Sequence, residues 1–292
     1  MRFPGRHVAT FAALLLPALT PAAAQVSPLT QVVPGTWLAH GSAGNVVVTI
    51  GADAVVVIGP QVAAEVPALR REIARLSHAP VRFVVVTASP VIEANRDGGW
   101  TRAGATVIAE EHAAYRMAAG TPLAADLSTP ALGFSEVQQI HAADDDIHVV
   151  RQKPGSTAAD ISAHLERAGV LYLGDAFTAD GYPTVDEANG GSFTGLVETA
   201  AKFMTFNART KIIPGRGGVS TPADLRAYHD MLEGIGARVK ALRAQGKSLD
   251  AVIAARPSAP WDARWGKAPG SAREIVTAAY RALEAPARDA RR

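Results

Sequence analysis

The sequence predicts an α/β fold in which two β-sheets pack between helices. Three observations carry this. Short runs of β-branched residues punctuate the chain, and stretches of helical apolar spacing separate them. The order is strands, then helix and strand twice, then strands again, followed by helix, strand and helices, which leaves each sheet a helical layer of its own. With 292 residues, 48% hydrophobic and 19% charged, the chain can also bury a full core.

Each element has its own signal. NVVVTI (45–50) and AVVVIG (54–59) read as strands joined by a hairpin turn at Gly51 and Asp53. Residues 63–77 place Val66, Leu69, Ile73 and Leu76 on one helical face. VRFVVVT (81–87) and ATVIA (105–109) read as strands, and EEHAAYRMAAG (110–120) as a helix closed by Gly120. After a loop rich in Pro and Ala come SEVQQIHA (135–142), DIHVVRQ (146–152) and GVLYLGDAF (169–177), all expected strands. Ser192 is placed to cap a helix over 192–206; TKIIPG (210–215) is a last strand, and 222–245 and 271–284 have helical patterning. The 118–133 and 256–270 stretches are linker-like but too short to divide the chain, so one domain is expected.

Residues 1–24 stand apart. A basic MRFPGRH, an apolar VATFAALLLPAL and a small-residue AAA before Gln25 have the form of a signal peptide, leaving 25–292 as a periplasmic or secreted chain. The apolar run is too short to span a bilayer and Pro17 interrupts it, so no membrane span is expected after cleavage. The 29 basic residues, less Arg2 and Arg6, balance the 27 acidic ones, so the basic isoelectric point is no signal for nucleic acid. With no cysteine, the chain has neither disulfides nor thiolate ligands.

The stretch VVVTASPVIEANRDGGW (84–100) ends a strand at Thr87 and enters a glycine-containing loop. Together with GNVVVTIGADAVVVIG, VLYLGDAF, GYPTVDEANGGSFTGL and TKIIPGRG, it resembles the metallo-β-lactamase superfamily, in its exported hydrolase-like branch. The resemblance covers nearly all of residues 25–292. It implies a four-layer αββα sandwich with its core at about 30–220 and a flanking C-terminal helical extension at about 221–292. In that family the strand ending in Thr is followed by HxHxDH, and here Thr87 and Gly104 keep the usual spacing. Residue by residue, the resemblance places the first metal's histidines on Ala88, Pro90 and Ser156. It places the second metal's aspartate on Ile92 and its histidines on Glu93 and Arg216, and the metal-bridging aspartate on Asp175. Two carboxylates and no imidazole fall short of the roughly three or four ligands zinc takes, so no zinc and no other cofactor is expected.

A catalytically degenerate metallo-β-lactamase-like protein is therefore the leading expectation, more a binder than an enzyme. Its partner would be a small molecule or a periplasmic protein, with no nucleic acid. Two alternatives stand beside it. One is a metal-independent hydrolase using Glu93, Asp175 or Ser156; the other is an accessory protein of a periplasmic quinoprotein system, on fold analogy alone. Arg216 is expected to turn into the cleft and pair with Asp175, with Glu93 as a second partner, in place of the cation. In GSTAAD (155–160), Ser156 and Asp160 lie close to the inferred site, yet no base is placed beside them. GGSFTG lacks the G-x-S-x-G spacing of a nucleophile elbow, and the acidic run 144–146 reads as a solvated turn. Among the histidines, His40 is a candidate for facing the cleft and His112 reads as a surface helix residue. His141, His148 and His164 read as half-buried strand residues, and His78 and His229 as helix-end and helix-surface residues.

Overall fold

Alternation within the strands decides the layers. The computed structural model describes residues 26–60, 62–87, 99–119, 130–268 and 270–284, and the expected signal segment lies outside them. One sheet holds β1 (Thr30–Val33), β2 (Thr36–Gly41), β3 (Gly44–Ile50), β4 (Val55–Gly59), β5 (Val81–Val86), β6 (Thr106–Glu110) and β7 (Leu132–Phe134), side by side in that order. It is antiparallel up to β4 and parallel beyond. The other holds β8 (Val137–Ala142), β9 (Asp145–Arg151), β10 (Ile161–Leu165), β11 (Val170–Thr178) and β12 (Lys211–Arg216), where only β11 and β12 pair in parallel. The helices are α1 (Val66–Leu76), α2 (Glu111–Ala119), α3 (Phe193–Phe203), α4 (Pro222–Ala244), α5 (Leu249–Ala254), α6 (Asp262–Trp265) and α7 (Ser271–Ala282).

On β4, Val55 and Val57 face outward and join Leu69 and Ile73 of α1, while Val56 and Ile58 face inward. There they meet Val149, Tyr172 and Ile213 of the opposite sheet. On β11, Leu171 and Leu173 face outward onto Leu196 of α3, Tyr228 and Leu232 of α4 and Ile275 of α7. The two-residue period of a strand thus sorts its side chains into two different cores. Helix, sheet, sheet and helix make four layers, as expected. The helices after residue 220 do more than flank the sandwich, because α4 and α7 form much of its outer layer.

Several elements differ from the sequence reading. TWLAHG and ISAHL form β2 and β10, where polar residues interrupt the apolar run that signals a strand. The strand expected at 135–142 forms as β8, but a further strand, β7, precedes it in the first sheet, and a bend at Ser135 and Glu136 carries the chain from one sheet to the other. The linker-like 256–270 stretch is tied down. Its Trp265 is buried, and Tyr182 donates to the Ser258 carbonyl at 3.2 Å and to Asp262 at 2.9 Å. Nor is the acidic run a merely solvated turn. Asp145 is buried and accepts the backbone N–H groups of Asp146, Arg167 and Ala168 at 2.8 to 3.1 Å.

At the end of the sandwich away from Thr87, the hairpin turns of the two sheets interlock. Ala143 and Asp144 both sit at positive φ, 56° and 58°, as a tight hairpin turn demands. Gly51 packs directly on them, and a Cβ there would overlap the Ala143 backbone. The Asp144 carboxylate accepts the Ala52 N–H at 2.9 Å, which bonds one turn to the other.

A similar close approach seats α3. A Cβ on Gly195 would overlap the Pro154 carbonyl, whereas one on Gly181 would meet nothing within 4 Å. Gly195→Ala should therefore lower stability by about 1–3 kcal/mol, as overpacking does. Urea denaturation should show that loss, with Gly181→Ala close to the parent.

Candidate functional site

Two parallel strands bring the first site together. Because β11 and β12 run the same way, with Gly174 opposite Pro214 and Thr178 opposite Arg216, Asp175 and Arg216 emerge at one edge of the sandwich. The ladder is irregular there, with Gly174 at φ 53°, and a Cβ on Gly215 would lie 2.6 Å from Asp175 Oδ1. Glycine at 215 is what makes room for the carboxylate.

The loop between β9 and β10 supplies the opposite wall. Asp160, only 4% exposed, accepts the Ser156 N–H at 2.6 Å, the Thr157 N–H at 2.9 Å and the Thr157 hydroxyl at 3.0 Å. Burial pushes its pKa up to about 7 against the pull of those donors, and the Asp175 charge adds to the rise. Burial likewise pushes Asp175 up to about 6, with the Arg216 charge opposing it. Beneath them lie two fully buried tyrosines. Tyr172 shares a 3.4 Å hydrogen bond with Thr87, while the Tyr228 hydroxyl has no partner among the described residues. Burial raises both phenols well above the ordinary tyrosine value.

A cavity of about 120 Å³ opens between these walls, lined by Ser156, Asp175, Thr178, Tyr182, Thr184 and Arg216 among others. The structure thus brings Ser156, Asp175 and Arg216 together. Ala88, Pro90, Ile92 and Glu93 lie outside the described residues. The expected ion pair is not formed: Arg216 donates to the carbonyls of Ala43 at 3.1 Å and Ser42 at 3.4 Å, with no carboxylate of the described residues within 4.0 Å. The reason lies in the neighbouring turn. Asn45 holds the Pro214 and Gly217 carbonyls at 2.8 Å each, which docks the end of β12 against the turn at 42–43. The Ser42 and Ala43 carbonyls of that turn serve the guanidinium fork without desolvating a second charge. Asp175 is left with no hydrogen-bond donor among the described residues. His40 does not line the cavity; it bonds Asn45 at 2.7 Å. Ser192 caps α3 by accepting the Gly195 N–H at 3.5 Å.

The described wall does not suit zinc. Asp175 offers one carboxylate and Ser156 a hydroxyl, the Asp186 carboxylate is held by Asn189, and a guanidinium has no lone pair to give. Among the described residues no three His, Cys, Asp or Glu side chains are grouped to hold a metal ion.

A metallo-β-lactamase from Pontibacter korlensis matches this structure with a TM-score of 0.59 and 16% identity, over 72% of this chain and 99% of its own. The chain has the metallo-β-lactamase fold. A stereoselective inverting sec-alkylsulfatase from a Pseudomonas species gives 0.68 and 14% identity, over 87% of this chain and 50% of its own. This chain therefore spans half the length of that alkylsulfatase. No family model and no curated protein matches the sequence. Within the metallo-β-lactamase fold, the sequence reading missed one pair altogether. Glu110, at the end of β6, is buried and bonds His112 Nδ1 at 2.8 Å. The signal was available, since the apolar run of β6 leads straight into a glutamate two residues ahead of a histidine.

Two outcomes follow for the cleft. Arg216→Ala should cost only about 0–1 kcal/mol in urea denaturation, as for an exposed charge, because no buried carboxylate loses its partner. The second concerns pH. The Asp175 carboxyl, ordinarily near 3.8, titrates near 6 when folded, so the folded state binds the proton more tightly. Its contribution is complete below about pH 4 and is lost as pH rises through 6. Asp175→Asn should therefore gain stability relative to the parent between about pH 4 and 7, by at most about 3 kcal/mol. Paired urea curves across that range would show it.

Proposed function

We propose that this metallo-β-lactamase-fold chain is a binding protein rather than a zinc hydrolase. Its cleft takes a small polar molecule that gives hydrogen bonds, or a positive charge, to Asp175. One observation carries the reading: a partly buried carboxylate faces a partly open cavity without a donor among the described residues. An acceptor taken from water without a partner is costly, and a ligand N–H or O–H relieves that cost. Asp186, in the same wall, is already engaged by Asn189 at 2.6 Å, which leaves Asp175 as the anchor. A cavity of about 120 Å³ has room for a small polar molecule and is too small for a large one. Ser156, Thr178 and Thr184 line the space beside it.

The degenerate positions Ala88, Pro90, Ile92 and Ser156, with Arg216 in place of a histidine, support the departure from zinc hydrolysis. The structural neighbours are a metallo-β-lactamase and an alkylsulfatase, and at 14–16% identity they support the scaffold rather than the chemistry. A second reading rests on one observation, the rise of Asp175 to about 6. A carboxyl of that kind beside a cavity is suited to general acid–base work on a small ester or lactone. The periplasmic or secreted location is part of the proposal and is supported by the composition of residues 1–24. Among the described residues no helix is long and apolar enough to cross a membrane.

Elemental analysis of the purified chain should find well under one zinc per molecule. One or two zinc ions per chain, with chelator-sensitive hydrolysis of a β-lactam or a secondary alkyl sulfate, would overturn the binding reading. Small amines and alcohols, screened by thermal shift, should stabilise the parent and lose that effect in Asp175→Asn. Turnover of a simple lactone that vanishes in Asp175→Asn would instead favour the acid–base enzyme.

A further inference from the structure

A second pocket, of about 310 Å³, opens beside α2, on the other side of the loop that walls the cleft. Its lining includes His112, Tyr115 and Arg116 of α2, Ala158 and Ala159 of the loop, and Asn189. At its edge stands Glu110, 1% exposed. One carboxylate oxygen, Oε2, accepts the backbone N–H groups of His112 at 2.8 Å and Ala113 at 3.3 Å, which caps α2. The other, Oε1, lies 2.8 Å from His112 Nδ1 and 3.4 Å from Arg151 Nε.

A carboxylate only accepts, so Nδ1 carries the hydrogen in this pair. In the neutral ring the lone pair is then on Nε2. The His112 side chain is 50% exposed, which leaves Nε2 within reach of a molecule in the pocket. Orientation by a buried carboxylate is the arrangement that prepares an imidazole to take a proton. The molecule contains its own contrast. His141 bonds Asp146 at 2.7 Å through the same nitrogen, but that pair stands on the sheet surface, with the imidazole 69% exposed and its carboxylate partner partly exposed as well.

We propose that the pocket beside α2 is a proton-transfer site in which Glu110 positions His112 as a general base toward small activated esters. Tyr115 and Arg116 line the same pocket, where an aromatic ring suits a planar acyl or aryl group and a guanidinium suits the negative charge that develops on the carbonyl oxygen. A water O–H gives its proton to His112 Nε2 while the water oxygen bonds to the carbonyl carbon. The bond from that carbon to the leaving oxygen then breaks, and the imidazolium returns the proton to the departing oxygen. Water and ester become acid and alcohol, with no further reactant.

The test is hydrolysis of 4-nitrophenyl acetate by the full chain. His112→Gln should lower the rate by about a hundredfold or more, the usual scale of a lost general base. Added imidazole should restore part of the activity of His112→Gly, and His141→Gln should match the parent. Glu110→Gln keeps an oxygen for the helix cap, so it should lower kcat with little change in KM. Parental rates in His112→Gln, an equal loss in His141→Gln, or no rescue by imidazole would each overturn the assignment.

Discussion

Burying a carboxylate is costly unless donors surround it, and Asp160 meets that demand by folding its own loop around itself. The two N–H groups and the hydroxyl it gathers all come from Ser156 and Thr157. Once closed, the loop has two faces. Ser156 and Thr157 line the Asp175 cleft, while Ala158 and Ala159 line the pocket beside α2. The same loop anchors the approach to α3, because the Ser156 carbonyl accepts from Asp186 at 2.9 Å and the Gly155 carbonyl from Ser192 at 2.8 Å. One buried side chain therefore shapes two cavities and the start of a helix.

The cleft shows how a scaffold behaves when its ligand positions change type. Arg216 and Asp175 share an edge, and the guanidinium is close enough to oppose the rise in the Asp175 pKa. Its hydrogen bonds nevertheless go to peptide carbonyls of the 42–43 turn. A neutral acceptor on a turn already docked by Asn45 satisfies the fork and leaves the acid facing the cavity. The result is a polar pocket with an open acceptor, in contrast to a sealed internal salt bridge.

Much of this was legible in the sequence, for identifiable reasons. The central strands are long β-branched runs, so NVVVTI, AVVVIG and VRFVVVT announce themselves, and the resemblance singled out Asp175. The rest was hidden where residue type is a poor guide. ISAHL is a full strand whose pattern is broken by Ser162 and His164. Trp261 and Trp265 anchor a stretch whose Pro and Gly content suggests a linker. The acceptors chosen by Arg216 are backbone carbonyls, which every residue carries, so no motif could name them. Glu110 and His112 pair because a strand ends and a helix begins between them, a boundary that placed Glu110 inside the helix when read from sequence.

The interlocked turns at the far end carry a consequence for how this chain can vary. Gly51 owes its identity to a neighbour remote in sequence, since any Cβ there meets the Ala143 backbone. Ala143 and Asp144 hold left-handed conformations in a turn whose acid is bonded to the residue after Gly51. The two turns behave as one inherited unit. A substitution in either is judged by the other, so their tolerances are epistatic rather than local. Grafting a new loop onto one hairpin therefore means redesigning both.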